Sequence, residues 1–349
     1  MQITSTVAPT YQQLRPLKQT VTATFPVYHD LVDALVAPMG HPDPRVAHVL
    51  APCAGYAYSD ESTVAMMMAR LGLQENRCLR ITESVDAMFI CSTTFIVQSR
   101  CGRVVVVCYR GTETGNFINW LTDTDVHPQK VRFGLGRTEC KYEVHAGFYR
   151  NVRATRYEVI AALERALGGE SIVVGDPAPG HAVEALFVTG HSLGAAMAAM
   201  LGVMLVTEPA YAALLPKLRA IYTFGQPMIG APALAKACGE HPFLGTRLIR
   251  YVYGQDLVAA LPPLISGEFA HFGQELKWVD GPAGEWRRSA EPTRQLRSVL
   301  GLPLAAVGFL AHRLRRFQNL AFAHAVDDHG PQNYIAALTP PHVRTEFGD

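Results

Sequence analysis

Residues 185–207 constrain this chain more than any other stretch. A short apolar run, Ala185–Thr189, leads into Gly190-His191-Ser192-Leu193-Gly194, and a long run rich in Ala and Met follows to Thr207. The first run has the length and composition of a strand buried on both faces. The last has the length of a buried helix. A tight turn between two buried elements leaves room only for glycine at its flanks. Bulk at Gly190 or Gly194 would strike the neighbouring strand and helix. Ser192 is then held at the crest of a strained turn, with a helix N-terminus behind it that favours developing negative charge. G-x-S-x-G on its own is a short pattern that arises by chance, and the strand–turn–helix setting is what gives it weight.

The surrounding pattern extends this unit. Apolar spacing is helical at Tyr28–Val36 and at Glu61–Leu73, where Ser59 or Asp60 can cap. Ala87–Gln98 and Arg103–Arg110 read as a hairpin across the polar turn Ser99–Gly102. Asn151–Leu167 carries Val152, Tyr157, Ile160, Ala161 and Leu163 near one helical face, and the Gly/Pro-rich loop Gly168–Gly180 follows. Two more strand runs, Ala220–Phe224 and Arg247–Tyr253, flank a short helix near Ala231–Cys238. Strands alternating with helices predict an α/β fold with a mostly parallel central sheet and helices on both faces.

Composition narrows the function classes. Net charge is +1 over 349 residues, so no global field draws the chain toward nucleic acid, and no basic–aromatic interleaving suggests it. Charged residues are only 17%, an apolar balance for a soluble chain. The seven cysteines include no C-x-x-C pair, which speaks against a disulfide scaffold or a zinc ribbon and leans toward a reducing compartment. The N-terminus shows no apolar signal segment, and no uninterrupted apolar stretch reaches membrane-spanning length; Val299–Ala311 is short and holds Pro303. A cytoplasmic or peripheral-membrane location is favoured over secretion, which stays open as the alternative. There is no phosphate loop, no complete G-x-G-x-x-G and no H-E-x-x-H, so neither a nucleotide nor another cofactor is expected. His324, Asp327, Asp328 and His329 are better read as loop acids beside a catalytic base than as metal ligands, and no metal is expected.

A serine hydroxyl needs a base, and the base needs an orienting acid. In α/β-hydrolases these follow the serine in the order acid, then histidine. Of the downstream acids, Asp256 alone stands just past a clean strand, in Tyr253-Gly254-Gln255-Asp256, where α/β sheets place their sites. Among the histidines, His329 in Asp327-Asp328-His329-Gly330 and His324 five residues earlier both fit by spacing.

Further runs then carry a resemblance. They are Tyr109-Arg110-Gly111-Thr112, Asn119-Trp120-Leu121-Thr122-Asp123, Val144-His145-Ala146-Gly147-Phe148-Tyr149, Thr223-Phe224-Gly225-Gln226-Pro227, Asp256–Pro263, and Asp328-His329 with Asn333-Tyr334. Together with Gly190–Gly194, in this order, they resemble the class 3 (fungal-type) lipase family of the α/β-hydrolase superfamily. The resemblance implies Ser192 as nucleophile, Asp256 as acid and His329, rather than His324, as base. It implies an oxyanion hole from Thr112 and the N–H of Leu193. It also implies a lid after Thr112, with Phe117, Ile118, Trp120 and Leu121 as acyl-binding residues. Here the histidine motif is separated from its tyrosine by Gly330–Asn333, longer than in many fungal members, which suggests a bacterial-like or intracellular branch.

The expected function is a serine ester hydrolase acting on acylglycerols or other fatty-acyl esters. Phospholipase A1 or feruloyl-type esterase activity is the alternative within the class, and a non-catalytic lipid-binding protein the alternative outside it. Residues 1–25 are expected to be a polar arm, 26–86 a helical extension, and 87–349 the catalytic domain. Arg287–Asn319 holds seven arginines and one acid around the apolar run Val299–Ala311. That composition suits contact with a lipid–water interface or membrane surface.

Overall fold

A computed structural model describes residues 1–8, 25–38, 40, 42–85, 90–111, 128–135, 140–279, 284–297, 327–341 and 343. Its centre is a nine-stranded sheet. In spatial order the strands are β1 (Gln2–Val7), β2 (Arg77–Val85), β3 (Ile90–Gln98), β4 (Val104–Tyr109), β7 (Ala185–His191), β8 (Leu218–Phe224), β9 (Leu248–Val252), β10 (Gln274–Val279) and β11 (Glu285–Arg288). The five strands from β4 to β10 pair in parallel, and the outer strands pair antiparallel. The expected hairpin is the β3–β4 pair. A separate ribbon joins β5 (Pro128–Phe133) to β6 (Cys140–His145).

Period-two alternation divides the core between the two faces. On β4, Val105, Val107 and Tyr109 join one apolar cluster with α4 (Ala146–Leu167) and α5 (Leu193–Thr207). Val104, Val106 and Cys108 face the other way. There they meet α1 (Leu31–Val36), α2 (Pro44–Tyr56), α3 (Glu61–Leu71) and a C-terminal helix over 331–338. Strands buried on both faces explain why β4 and β7 read as unbroken apolar runs. Two further helices, α6 (Pro232–Glu240) and the short α7 (Leu244–Arg247), connect β8 to β9, and the C-terminal helix Pro331–Leu338 is α8. Among the described residues, no helix is long and apolar enough to cross a membrane.

The structure departs from the sequence expectations at several elements. Gln2–Val7, expected in a loose polar arm, is an edge strand registered on β2 from Gln2↔Thr82 to Val7↔Arg77. Within the expected helical extension, β2 joins the central sheet and α2 packs across it. Asp60, not Ser59, caps α3 by accepting the Thr63 N–H at 2.7 Å. The helix expected from Asn151 begins at Ala146, with His145 as its cap.

Candidate active site

The turn between β7 and α5 has the predicted form. Ser192 sits at φ 59°, ψ −129°, a left-handed conformation that side chains rarely adopt. It is held there from both sides: its N–H donates to the Phe224 carbonyl at 2.9 Å, and its own carbonyl accepts the N–H of Ala195 and Ala196. The flanking glycines are required by close approach. A Cβ on Gly190 would strike the backbone of Gly194, and one on Gly194 would strike the Tyr109 carbonyl. Leu193 opens α5, so its N–H stands beside the serine at the positive end of the helix.

Asp256 and His329 meet at the same edge of the sheet. Asp256 follows β9, and His329 lies in the turn before α8. His329 Nδ1 lies 2.8 Å from Asp256 Oδ2, and the carboxylate is wholly shielded from solvent. Oδ2 also accepts the Tyr334 hydroxyl at 2.5 Å, and Oδ1 accepts the Val258 N–H at 2.8 Å. Burial alone would raise the Asp256 pKa. The charge and hydrogen bond of His329, then the Tyr334 hydroxyl, outweigh it and hold the carboxyl below its ordinary range. Tyr334 stays a phenol, because burial first and the Asp256 charge second push its pKa well up. An ionised carboxylate accepts only, so His329 Nδ1 carries the proton and Nε2 is the basic nitrogen. Gly225, at φ 59°, makes room for the pair: a Cβ there would lie 2.6 Å from Asp256 Oδ2 and 2.8 Å from His329 Nδ1.

The histidine turn is fastened to its surroundings. Asp328 Oδ2 accepts the Gln255 N–H at 2.7 Å, one residue before the acid. The Asp327 carbonyl accepts the Asn333 amide at 2.6 Å. His191, beside the serine, reaches the His329 carbonyl, and the two rings lie 4.6 Å apart. The structure thus brings Ser192, Leu193, Asp256 and His329 to one end of the central strands. Thr112, Phe117, Ile118, Trp120 and Leu121 lie outside the described residues, as do His324 and most of the basic segment at 287–319. Sequence reasoning missed His191 and Tyr58, whose hydroxyl lies 2.8 Å from His191 Nδ1. His191 stood inside the quoted motif, whereas Tyr58 carried no local signal. Among the described residues, no group of three or more His, Cys, Asp or Glu is placed to hold a metal ion.

The class 3 lipase family profile matches residues 106–266, a span that holds the serine turn and Asp256. The match covers just under half of the chain, and over that span the chain is similar to the class 3 lipases. It is 27% identical over 188 residues to a triacylglycerol lipase of Arabidopsis thaliana, covering 48% of this chain and 36% of that protein. It is 29% identical over 177 residues to phospholipase A1-II 1 of Oryza sativa subsp. indica, covering 46% of this chain and 40% of that protein. The chain therefore spans well under half the length of these relatives. The structure superposes on lipase II from Rhizopus niveus with a TM-score of 0.54 at 20% identity, covering 72% of this chain and 86% of that one. That likeness shows the α/β-hydrolase fold. These matches are to plants and a fungus, and they give the expected bacterial-like branch no support.

Two buried histidines make stability depend on pH. Burial holds His145 at a pKa of about 3, and burial followed by the His329 charge does the same for His191, against 6.5 in the open chain. Unfolded, both bind protons below about 6.5; folded, they resist until about 3. Their contribution to stability is therefore complete above about 6.5 and lost as pH falls toward 3. The slope is up to about 1.4 kcal/mol per pH unit for each. The urea midpoint is expected to drop steadily from pH 7 to pH 5, and a midpoint constant over that range would contradict the assignment.

Proposed function

We propose that this chain is a serine carboxylic-ester hydrolase that acts on fatty-acyl esters through an acyl-enzyme. The observation that carries the reading is the Asp256–His329 pair, whose His329 backbone is joined through His191 to the strained Ser192 turn. His329 Nε2 takes the Ser192 proton as Oγ attacks the ester carbonyl. Asp256 keeps the imidazole in the tautomer that can accept it and stabilises the imidazolium that forms. The Leu193 N–H, at the start of α5, donates to the oxyanion, and Thr112 is the second donor in this reading. Each such donor is worth about 3 kcal/mol in the transition state. His329 then returns the proton to the leaving alcohol, and water, activated by the same nitrogen, releases the acid.

Similarity to a triacylglycerol lipase and to a phospholipase A1 supports acylglycerols and phospholipids as the two leading substrate classes. The test is labelling by a fluorophosphonate, together with hydrolysis of p-nitrophenyl esters from acetyl to palmitoyl, emulsified triglyceride and phosphatidylcholine. The expected result is one label per chain, on Ser192, with turnover of the longer esters. Relative rates on triglyceride and phosphatidylcholine assign the substrate class. An unlabelled Ser192 with no ester turned over would overturn the reading and favour a non-catalytic lipid-binding protein.

A further inference from the structure

His191 adjoins the nucleophile in the chain and reaches the backbone of the base, and the mechanism above gives it no task. It ends β7, one residue before Ser192, and is 2% exposed. Both ring nitrogens are engaged. Nε2 lies 2.7 Å from the main-chain oxygen of His329, and Nδ1 lies 2.8 Å from the Tyr58 hydroxyl. A carbonyl oxygen only accepts, so Nε2 must carry a hydrogen. Burial holds the imidazole neutral, so Nδ1 is bare. Tyr58 must therefore donate to it, which fixes the direction of both bonds.

Tyr58 lies just past the end of α2. Its hydroxyl packs against Gly111, where any Cβ would strike both it and the His191 carbonyl. Hydrogen bonds then run from Tyr58 to His191 and on to the backbone of the base.

We propose that His191 and Tyr58 are a positioning pair, a neutral bridge that ties the main chain of His329 to the serine turn. This rests on the serine-hydrolase reading. The device suits its position. His329 belongs to a turn, not to a strand, and its ring changes charge during the reaction. A charged neighbour 4.6 Å away would repel the imidazolium, whereas a neutral imidazole can hold the backbone without opposing it. No proton passes along the bridge. It sets geometry, and a displacement of about 1 Å at a reacting group can cost about 100-fold in rate.

The test uses Tyr58→Phe, which removes the hydroxyl and keeps the ring. The second-order rate of fluorophosphonate labelling at Ser192 and kcat on p-nitrophenyl butyrate are expected to fall together, by about 10- to 100-fold. KM should stay within about twofold, because neither residue is asked to touch substrate. Separately, the ¹⁵N imidazole signals of His191 in the parent protein, assigned by their loss in His191→Asn, should report the neutral Nε2–H form from pH 5 to pH 8. Equal labelling rates in parent and Tyr58→Phe would overturn the proposal. So would an Nδ1–H tautomer or a titrating His191, whatever the stability of the variants. If the parent itself is neither labelled nor active, the hydrolase reading fails, and the tautomer measurement still decides whether the bridge exists.

Discussion

Ser192→Ala is expected to fold like the parent and to lose about six orders of magnitude in kcat, while Asp256→Asn should lose about four. The serine side chain makes no capping bond at the start of α5, so its removal leaves the helix end as it was. Alanine also keeps the same backbone strain at φ 59°. Only the attacking oxygen is gone. The Asp256 change acts differently. Its carboxylate accepts three donors at once: the Val258 N–H, the Tyr334 hydroxyl and His329 Nδ1–H. An amide offers one oxygen and must turn its NH2 toward another. Facing His329, that NH2 demands a bare Nδ1 and drives the hydrogen to Nε2, the nitrogen that has to accept the serine proton. Saturating rates on p-nitrophenyl butyrate, with urea unfolding as the control for folding, measure both. Activity above about 1% in Ser192→Ala would contradict its assignment as nucleophile, since the loss expected of a removed nucleophile is far larger.

What the sequence made legible follows from the range of the signals. The serine turn could be read because all its determinants are local: a two-faced strand, two glycines forced by close approach, and a buried helix. Asp256 was readable as the acid following a strand end. His329 and His324 could not be separated by spacing, because the path of a turn leaves no periodic trace; the resemblance separated them. Tyr58 was invisible, because its contact with His191 spans 133 positions. Helix α2 escaped because Val46 to Cys53 is buried at every position and carries Pro52 inside the helix. Strand β1 escaped for the opposite reason. It is a sheet edge whose half-buried positions are Thr4 and Thr6 while Ile3 and Val7 stand exposed, so no buried apolar face announces it.

Glu275→Leu is expected to destabilise the protein by about 3–5 kcal/mol, and Arg250→Met added to it should recover most of that loss. Arg250 on β9 donates to Glu275 on β10 at 2.8 Å, with side chains 1% and 2% exposed. Its Nε also donates to the Phe272 carbonyl. Removing the glutamate alone leaves a cation sealed from water, and the penalty is that of the stranded charge rather than the net worth of the pair. Replacing both with apolar groups of similar size removes the stranded charge. Catalysis should not recover in step. Glu275 also accepts the backbone and side-chain donors of Thr293, at the head of a strap that grips the loop after Asp256. Two residues on, the Gln295 amide donates to the carbonyls of Pro262 and Gly267, and Leu296 exchanges backbone bonds with Ala260 and Leu264. In the double variant the charge problem is gone, but the strap has lost its anchor at Thr293. Urea unfolding and kcat measured on the same three proteins separate the two roles. A double variant as active as it is stable would show that the strap holds the acid loop without Glu275.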